Sequence, residues 1–230
     1  MAGAASENGW SAHLFTGTDA SEINLRTLEQ AEILHLATHG FYLQRKEHPG
    51  AGTRAIHLEG KEERLDPVVA SDGTINPMRA SGIALAGAQS TFNSWQNGTA
   101  PNPENDGILT AEEVAGLNLE NTWLVTLSAC ETGIGEAKSG EGVFGLRRAF
   151  VQAGARNLLV TLWPVQDSST AGFMRDFYAK CLADGRASDA LSQTQRRWLV
   201  SLRETQGLLA AVRDAGAFVL SSHRAGSGSQ

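Results

Sequence analysis

Three short apolar runs constrain the fold of this 230-residue chain more than any other feature of its sequence. They cover residues 33–40, 123–129 and 157–163, and stretches with helix-forming periodicity separate them. Short runs that do not alternate with polar residues are typical of strands buried on both faces. Strands that alternate with helices pair in parallel through right-handed crossovers. The sequence therefore predicts an α/β fold built on a mostly parallel sheet.

The first predicted helix covers residues 20–31 and precedes the first apolar run. Asp19 and Glu22 lie three residues apart, as in a capping box, and acidic side chains stabilise the first turn of a helix. The expected buried face of this helix consists of Leu25, Leu28 and Ala31.

Capping residues predict further helices beyond the first apolar run. Thr110 and Glu113 have the spacing of a capping box. Gly154 is expected to end a helix in the left-handed conformation, and Asp167 or Ser168 is expected to cap the next one. Apolar periodicity places buried stripes on three helices, namely Val143, Leu146, Phe150 and Ala153 on one, Ala171, Met174, Phe177 and Cys181 on another, and Leu191, Trp198 and Leu202 on the last.

The interval from residue 41 to residue 107 differs in composition from the rest of the chain, because Pro, Gly, Asn and charged residues are mixed through it. Only residues 83–86 have the pattern of a strand. We expect a hairpin with loops here, and the sequence leaves open whether the interval acts as a lid or a self-processing loop.

Composition and charge exclude several classes of protein. A formal net charge of -6 gives no basic surface of the kind that nucleic acids require. Two cysteines are too few for a disulfide scaffold, and the sequence shows neither a signal peptide nor an apolar run long enough to span a membrane. We therefore expect a cytoplasmic protein, with flexible termini at residues 1–12 and 223–230.

Two residues with nucleophilic or basic side chains mark the ends of predicted strands: His39 lies at the carboxyl end of the first, and Cys130 directly follows the second. The carboxyl ends of parallel strands meet at one edge of a sheet, so these side chains are expected to lie close together. A cysteine nucleophile needs a nearby imidazole and two amides for the oxyanion, for which the backbones of Gly40 and Cys130 are candidates. Spacing alone leaves a structural interpretation open, because free cysteine commonly packs as a small apolar residue, as we expect of Cys181.

Two other interpretations are weaker. Residues 140–145 match the G-x-G-x-x-G pattern of dinucleotide sites, but a long loop separates them from the preceding strand. His35 and His39 would face one metal ion only on a helix, and on a strand they lie about 13 Å apart. We therefore expect no cofactor and no metal, and we expect His35 to be a buried structural residue.

Several motifs together resemble the CHAT domain family, a bacterial branch of caspase-like peptidases related to separase. The resemblance is ordered along the chain from about residue 14 to residue 200. It is carried by LHLATHGF at 34–41, LSACETG at 127–133, GEGVFGLRRAF at 140–150, AGA at 153–155 and LWPVQD at 162–167, with further similarity at 15–20 and 106–112.

The resemblance implies a caspase-hemoglobinase-like three-layer α/β/α sandwich over residues 13–222, in which His39 is the catalytic base and Cys130 the nucleophile of a cysteine endopeptidase. It leaves open whether the family's first strand has a counterpart here. Similarity to separase suggests a substrate-binding role for Asp167, and Ser128 and Thr132 flank the nucleophile as further candidates. The implied partners are a protein substrate and a helical-repeat regulatory module. A non-catalytic interaction module is the alternative.

Overall fold

Two β-sheets organise the part of the chain that the computed structural model describes. That part comprises residues 10–28, 31–42, 76–99, 105–128, 141–163 and 165–223. The strands are β1 (Ile33–Leu36), β2 (His39–Tyr42), β3 (Ser81–Ala84), β4 (Ile108–Thr110), β5 (Leu124–Leu127), β6 (Asn157–Thr161) and β7 (Phe218–Ser222). The helices are α1 (Glu22–Arg26), α2 (Pro77–Ala80), α3 (Ala88–Gln96), α4 (Ala111–Ala115), α5 (Glu141–Gln152), α6 (Asp167–Asp184), α7 (Ala187–Gln206) and α8 (Leu208–Ala215), with a 3-10 turn at Gly17–Asp19.

The main sheet has the strand order β1-β5-β6-β7. Its first three strands are parallel, and β7 pairs antiparallel with β6. The register places His35 of β1 opposite Thr126 of β5. The predicted mostly parallel sheet is therefore confirmed.

Helices cover both faces of the main sheet. Successive side chains of each strand point to opposite sides, so each strand contributes to two cores. On one face Leu34, Val125 and Leu158 share a core with buried residues of α4 and α5. On the other face Leu124 and Leu159 share a core with buried residues of α6, α7 and α8. The result is the α/β/α sandwich that the resemblance to the CHAT domain family implied.

The first apolar run is not one strand, which corrects the prediction for residues 33–40. The chain leaves the main sheet after Leu36 and enters a second, antiparallel sheet at His39, with the order β2-β3-β4. Between the two strands, the Thr38 hydroxyl donates a hydrogen bond to the carbonyl oxygen of Ala84 in β3. His39 therefore begins a new strand and does not end the first.

The small sheet packs onto the α5 side of the sandwich. Ile83 and Leu109 are fully buried and belong to the same core as Leu34 and Phe150. The strand expected at residues 83–86 is present as β3, and β4 was not predicted. The rest of the expected hairpin and loops, at residues 43–75 and 100–104, lies outside the described residues.

Helix α1 is shorter than predicted and starts at a different residue. Its N-cap is Ser21, whose hydroxyl accepts a hydrogen bond from the amide of Asn24, whereas Asp19 lies in the 3-10 turn. The helix ends at Thr27, whose hydroxyl donates to the carbonyl oxygen of Asn24. A threonine that bonds to the backbone in this way competes with helical hydrogen bonds.

Other predicted helix ends are confirmed. Thr110 and Glu113 form a complete capping box at the start of α4, in which each side chain binds the other residue's amide. Gly154 follows α5 with φ +104°, a conformation that favours glycine. Leu146, Phe150 and Ala153 are buried as expected.

Helix α6 needs two corrections. Its N-cap is Gln166, so Asp167 is the first helical residue and not the cap. Ala171 is exposed, because the buried face of this helix contains Phe173 and Tyr178 instead. Met174, Phe177 and Cys181 are buried as predicted, and burial raises the pKa of the Cys181 thiol to about 12.

Candidate functional site

The candidate site lies where β1 and β5 end, at the carboxyl edge of the main sheet. His39 begins β2 just beyond this edge, and its side chain is exposed. Gly40 follows within β2, opposite Ile83 of β3. Cys130 and Thr132 lie outside the described residues, as does the side chain of Asp167, whose backbone starts α6.

A backbone hydrogen bond joins the last residue of β1 to the residue that follows β5. The amide of Ser128 donates to the carbonyl oxygen of Leu36 at 3.2 Å. Ser128 precedes Cys130 by two residues, and Leu36 precedes His39 by three. The chain segments that lead to the two predicted dyad residues are therefore held side by side.

His35 forms hydrogen bonds with both of its ring nitrogens on the α6 side of the sheet. Its Nδ1 lies 3.0 Å from the Tyr178 hydroxyl, and its Nε2 lies 2.9 Å from the Ser128 hydroxyl. The Tyr178 hydroxyl also lies 2.8 Å from the hydroxyl of Thr126. These four side chains form a continuous chain of hydrogen bonds, which we call the His35 chain.

Burial disfavours charge within the His35 chain. It lowers the pKa of the His35 imidazole to about 4, so the ring is neutral at neutral pH. It also raises the pKa of the Tyr178 phenol. The sequence predicted a structural His35 but not its partners Tyr178 and Thr126. The only sequence signal for Thr126 is a polar residue inside the apolar run at 123–129.

A second polar cluster connects α1 with the small sheet. Glu22 is fully buried, and its carboxylate accepts hydrogen bonds from the Gly107 amide at 2.7 Å and from Arg26 at 3.1 Å. Arg26 also pairs with Glu113 at 3.0 Å. Burial raises the pKa of the Glu22 carboxyl despite these partners. The sequence predicted Glu22 as a first-turn acid but gave no signal for its burial.

Other expectations concern cofactors and membranes. Among the described residues, no group of three or more His, Cys, Asp or Glu side chains could hold a metal ion. Within the same residues, none of the helices is sufficiently long and apolar to cross a membrane. Residues 141–145 of the G-x-G-x-x-G pattern lie at the start of α5, whereas β5 ends at Leu127. A dinucleotide site requires the glycines to follow the strand directly.

Comparisons with known proteins identify relatives. Tetratricopeptide repeat protein 28 from Homo sapiens is 35% identical over 94 residues, which is 41% of this chain and 4% of that protein. Its Mus musculus counterpart is 34% identical over the same length, so the chain spans about 4% of the length of these curated relatives. The family model of the CHAT domain matches residues 2–221. Because this match covers nearly the whole chain, the protein belongs to the CHAT domain family, which is related to caspase-like peptidases.

Proposed function

We propose that the protein is a cysteine endopeptidase in which His39 and Cys130 act as a dyad. Membership of a family related to caspase-like peptidases supports the reaction class. The observation that carries the proposal is the bond between the Ser128 amide and the Leu36 carbonyl oxygen, since it holds together the segments that lead to both residues.

In the proposed reaction, the Cys130 sulfur attacks the carbonyl carbon of a scissile peptide bond. The backbone amides of Gly40 and Cys130 stabilise the oxyanion. His39 takes the proton of the thiol and delivers it to the departing amine as the C–N bond breaks, which leaves a thioester. Water then hydrolyses the thioester, which releases the second product and restores the thiol. Asp167, Ser128 and Thr132 border the bound peptide in this proposal, with Asp167 favouring a basic side chain before the cleaved bond.

Cleavage of a peptide library tests the dyad. We expect the wild-type protein to cleave a subset of peptides and the variants C130A and H39A to cleave them at least about a thousandfold more slowly. The matched controls are C181A, which removes a buried cysteine, and H13A, which removes an exposed histidine. Both controls should cleave at the wild-type rate. Cleavage by C130A or H39A at close to the wild-type rate would rule out the dyad.

A helical-repeat module is the proposed regulator of this peptidase. The curated relatives are named as tetratricopeptide repeat proteins, and this chain matches a small part of each. A purified tetratricopeptide repeat segment of such a relative should bind the chain and change its cleavage rate. Absence of binding in a pull-down with both purified components would contradict this regulation.

The alternative function is a non-catalytic interaction module. It is favoured by the names of the curated relatives, which mention repeats and no peptidase activity. Labelling with a peptide that carries a thiol-reactive electrophile separates the two functions. A peptidase is expected to be labelled at Cys130, and labelling should disappear in C130A, whereas an interaction module would remain unlabelled.

A further inference from the structure

The His35 chain has a direction that follows from its most buried member. Thr126 is 1% exposed, and among the described residues its hydroxyl contacts only the Tyr178 hydroxyl. A buried hydroxyl hydrogen without an acceptor destabilises a fold by about 1–3 kcal/mol. Thr126 therefore donates its hydrogen to the Tyr178 oxygen.

The direction of the first bond fixes the others. Tyr178 is buried and has one hydroxyl hydrogen, and once Thr126 acts as a donor, Nδ1 of His35 is the acceptor that remains for this hydrogen among the described residues. A neutral imidazole that accepts at Nδ1 carries its hydrogen at Nε2. Nε2 then donates to the Ser128 hydroxyl oxygen.

Ser128 ends the chain, and none of the other three members accepts its hydroxyl hydrogen. Within the described part of the protein, that hydrogen has no acceptor, and the side chain is half-buried at the carboxyl end of β5. Because its oxygen accepts a hydrogen bond from His35, the Ser128 hydroxyl is polarised as a donor. The chain thus presents a hydrogen-bond donor at the edge where the candidate site lies.

The position of Ser128 indicates what it binds. Its side chain shares the sheet face of His35 and Thr126, which α6 covers. His39 instead opens the small sheet, whose Ile83 and Leu109 pack on the opposite face. A peptide that lies across the strand ends would meet His39 on one side and Ser128 on the other. The acceptor that every peptide offers at regular intervals is a main-chain carbonyl oxygen.

We infer that Ser128 donates a hydrogen bond to a main-chain carbonyl oxygen of the bound peptide, and that His35 and Tyr178 are positioning residues that keep Ser128 a donor. This inference rests on the proposed peptidase function. In the absence of the Tyr178 hydroxyl, the imidazole hydrogen could move to Nδ1. Ser128 would then donate to Nε2 and would be lost to the substrate.

Steady-state cleavage of a peptide selected from the library tests the inference. We expect kcat/KM to fall about 3- to 10-fold in S128A and Y178F, which corresponds to the loss of one hydrogen bond. S128T keeps a hydroxyl and should restore most of the activity. The matched control is T122V, which removes another buried hydroxyl at the opposite end of β5 and should retain wild-type kcat/KM.

Alkylation of Cys130 by iodoacetamide tests whether Ser128 donates its hydrogen bond to the substrate or to the Cys130 thiolate. We expect the same pH dependence of alkylation in S128A and in the wild type, because Ser128 contacts the peptide and not the sulfur. A shifted pH dependence in S128A, or an unchanged kcat/KM in S128A, would overturn the inference.

Imidazole nitrogen chemical shifts test the direction of the chain without any activity, so a failure of the peptidase proposal does not affect this measurement. The inference predicts that His35, assigned by its absence in H35N, carries its hydrogen at Nε2. A hydrogen at Nδ1 would overturn it. Absence of cleavage by the wild type combined with a hydrogen at Nε2 would refute the peptidase proposal, and with it the substrate contact of Ser128, but would leave the direction of the His35 chain standing.

Discussion

The main sheet and the small sheet each bury polar side chains beside the candidate site, but they do so with different chemistry. On the main sheet the His35 chain is neutral, and each member is hydrogen-bonded to the next. Beside the small sheet, Glu22 and Arg26 are charged partners around a backbone amide. Burial shifts both titrating groups toward their neutral forms, lowering the pKa of His35 and raising that of Glu22.

Because of this difference, we expect the two sheets to respond differently to substitution and to pH. The main sheet, which leads to Cys130, depends on packed apolar volume and uncharged hydrogen bonds. The small sheet, which starts at His39, shares this apolar core through Ile83 and Leu109, but it also depends on the charged pair of Glu22 and Arg26 and on capped backbone groups. Substitutions and pH changes that lower the stability of one sheet more than that of the other test this difference.

The largest expected effect is a cavity in the helix layer of the main sheet. Phe173 is fully buried and stacks on Phe218 with ring centroids 4.0 Å apart. We expect Phe173→Ala to lower the free energy of unfolding by about 4 kcal/mol, measured by urea denaturation. Phe41→Ala in the small sheet should reduce it by roughly 3 kcal/mol or less, because Phe41 belongs to a smaller cluster. An equal or reversed ranking would contradict the comparison.

Acid should weaken the main sheet through His35. Its folded pKa of about 4 lies below the ordinary value of 6.5, so the unfolded chain binds more protons between these values. The stabilising contribution is therefore present above pH 6.5 and is lost as the pH falls toward 4, approaching about 3 kcal/mol. H35N should lack this part of the pH dependence in urea denaturation, whereas H13A should keep it.

The carboxylate of Glu22 should stabilise the small sheet through its charge and through its hydrogen bond with the Gly107 amide. Glu22→Ala leaves the buried Gly107 amide without its acceptor, and we expect a loss of about 2 kcal/mol. Glu22→Gln keeps an acceptor oxygen and should lose less. Because the pKa of Glu22 is raised in the folded protein, its contribution to the free energy of unfolding is present below pH 4.5 and is lost as the pH rises through the folded pKa. The stability of the wild type relative to E22Q should therefore increase as the pH falls. An opposite trend in urea denaturation would contradict the assigned cause of the shift.

The smallest expected effect is at the capping box of α4. Thr110→Ala removes a hydroxyl that accepts from the Glu113 amide, and about 1 kcal/mol should be lost in thermal or urea unfolding. Thr205→Ala near the exposed end of α7 is the matched control and should change stability by less than about 0.5 kcal/mol. Equal losses would show that the capping box adds nothing to this side of the site.

Prediction from sequence worked where one local rule decides the structure. The apolar runs at 123–129 and 157–163 form buried strands, and Thr110 and Gly154 lie at the helix ends that their residue types favour. These outcomes depend on burial, capping and backbone conformation, which neighbouring residues determine.

Prediction failed where distant residues decide the structure. The chain leaves the main sheet after Leu36 because β2 pairs with β3, some forty residues later in the sequence. Likewise, Glu22 is buried by a contact with Gly107, and His35 finds its partners at Ser128 and Tyr178. Periodicity contains no information about such pairs, so the candidate residues could be named from the sequence but their partners could not.

The most direct test of the central claim is a double-mutant cycle of His39 and Cys130, with kcat/KM measured on one cleaved peptide. Residues that act as a unit are strongly non-additive, so we expect C130A, H39A and the double variant to lose activity to nearly the same level, by at least about a thousandfold. The account would be contradicted if H39A lowered the residual activity of C130A by the same factor as it lowers that of the wild type.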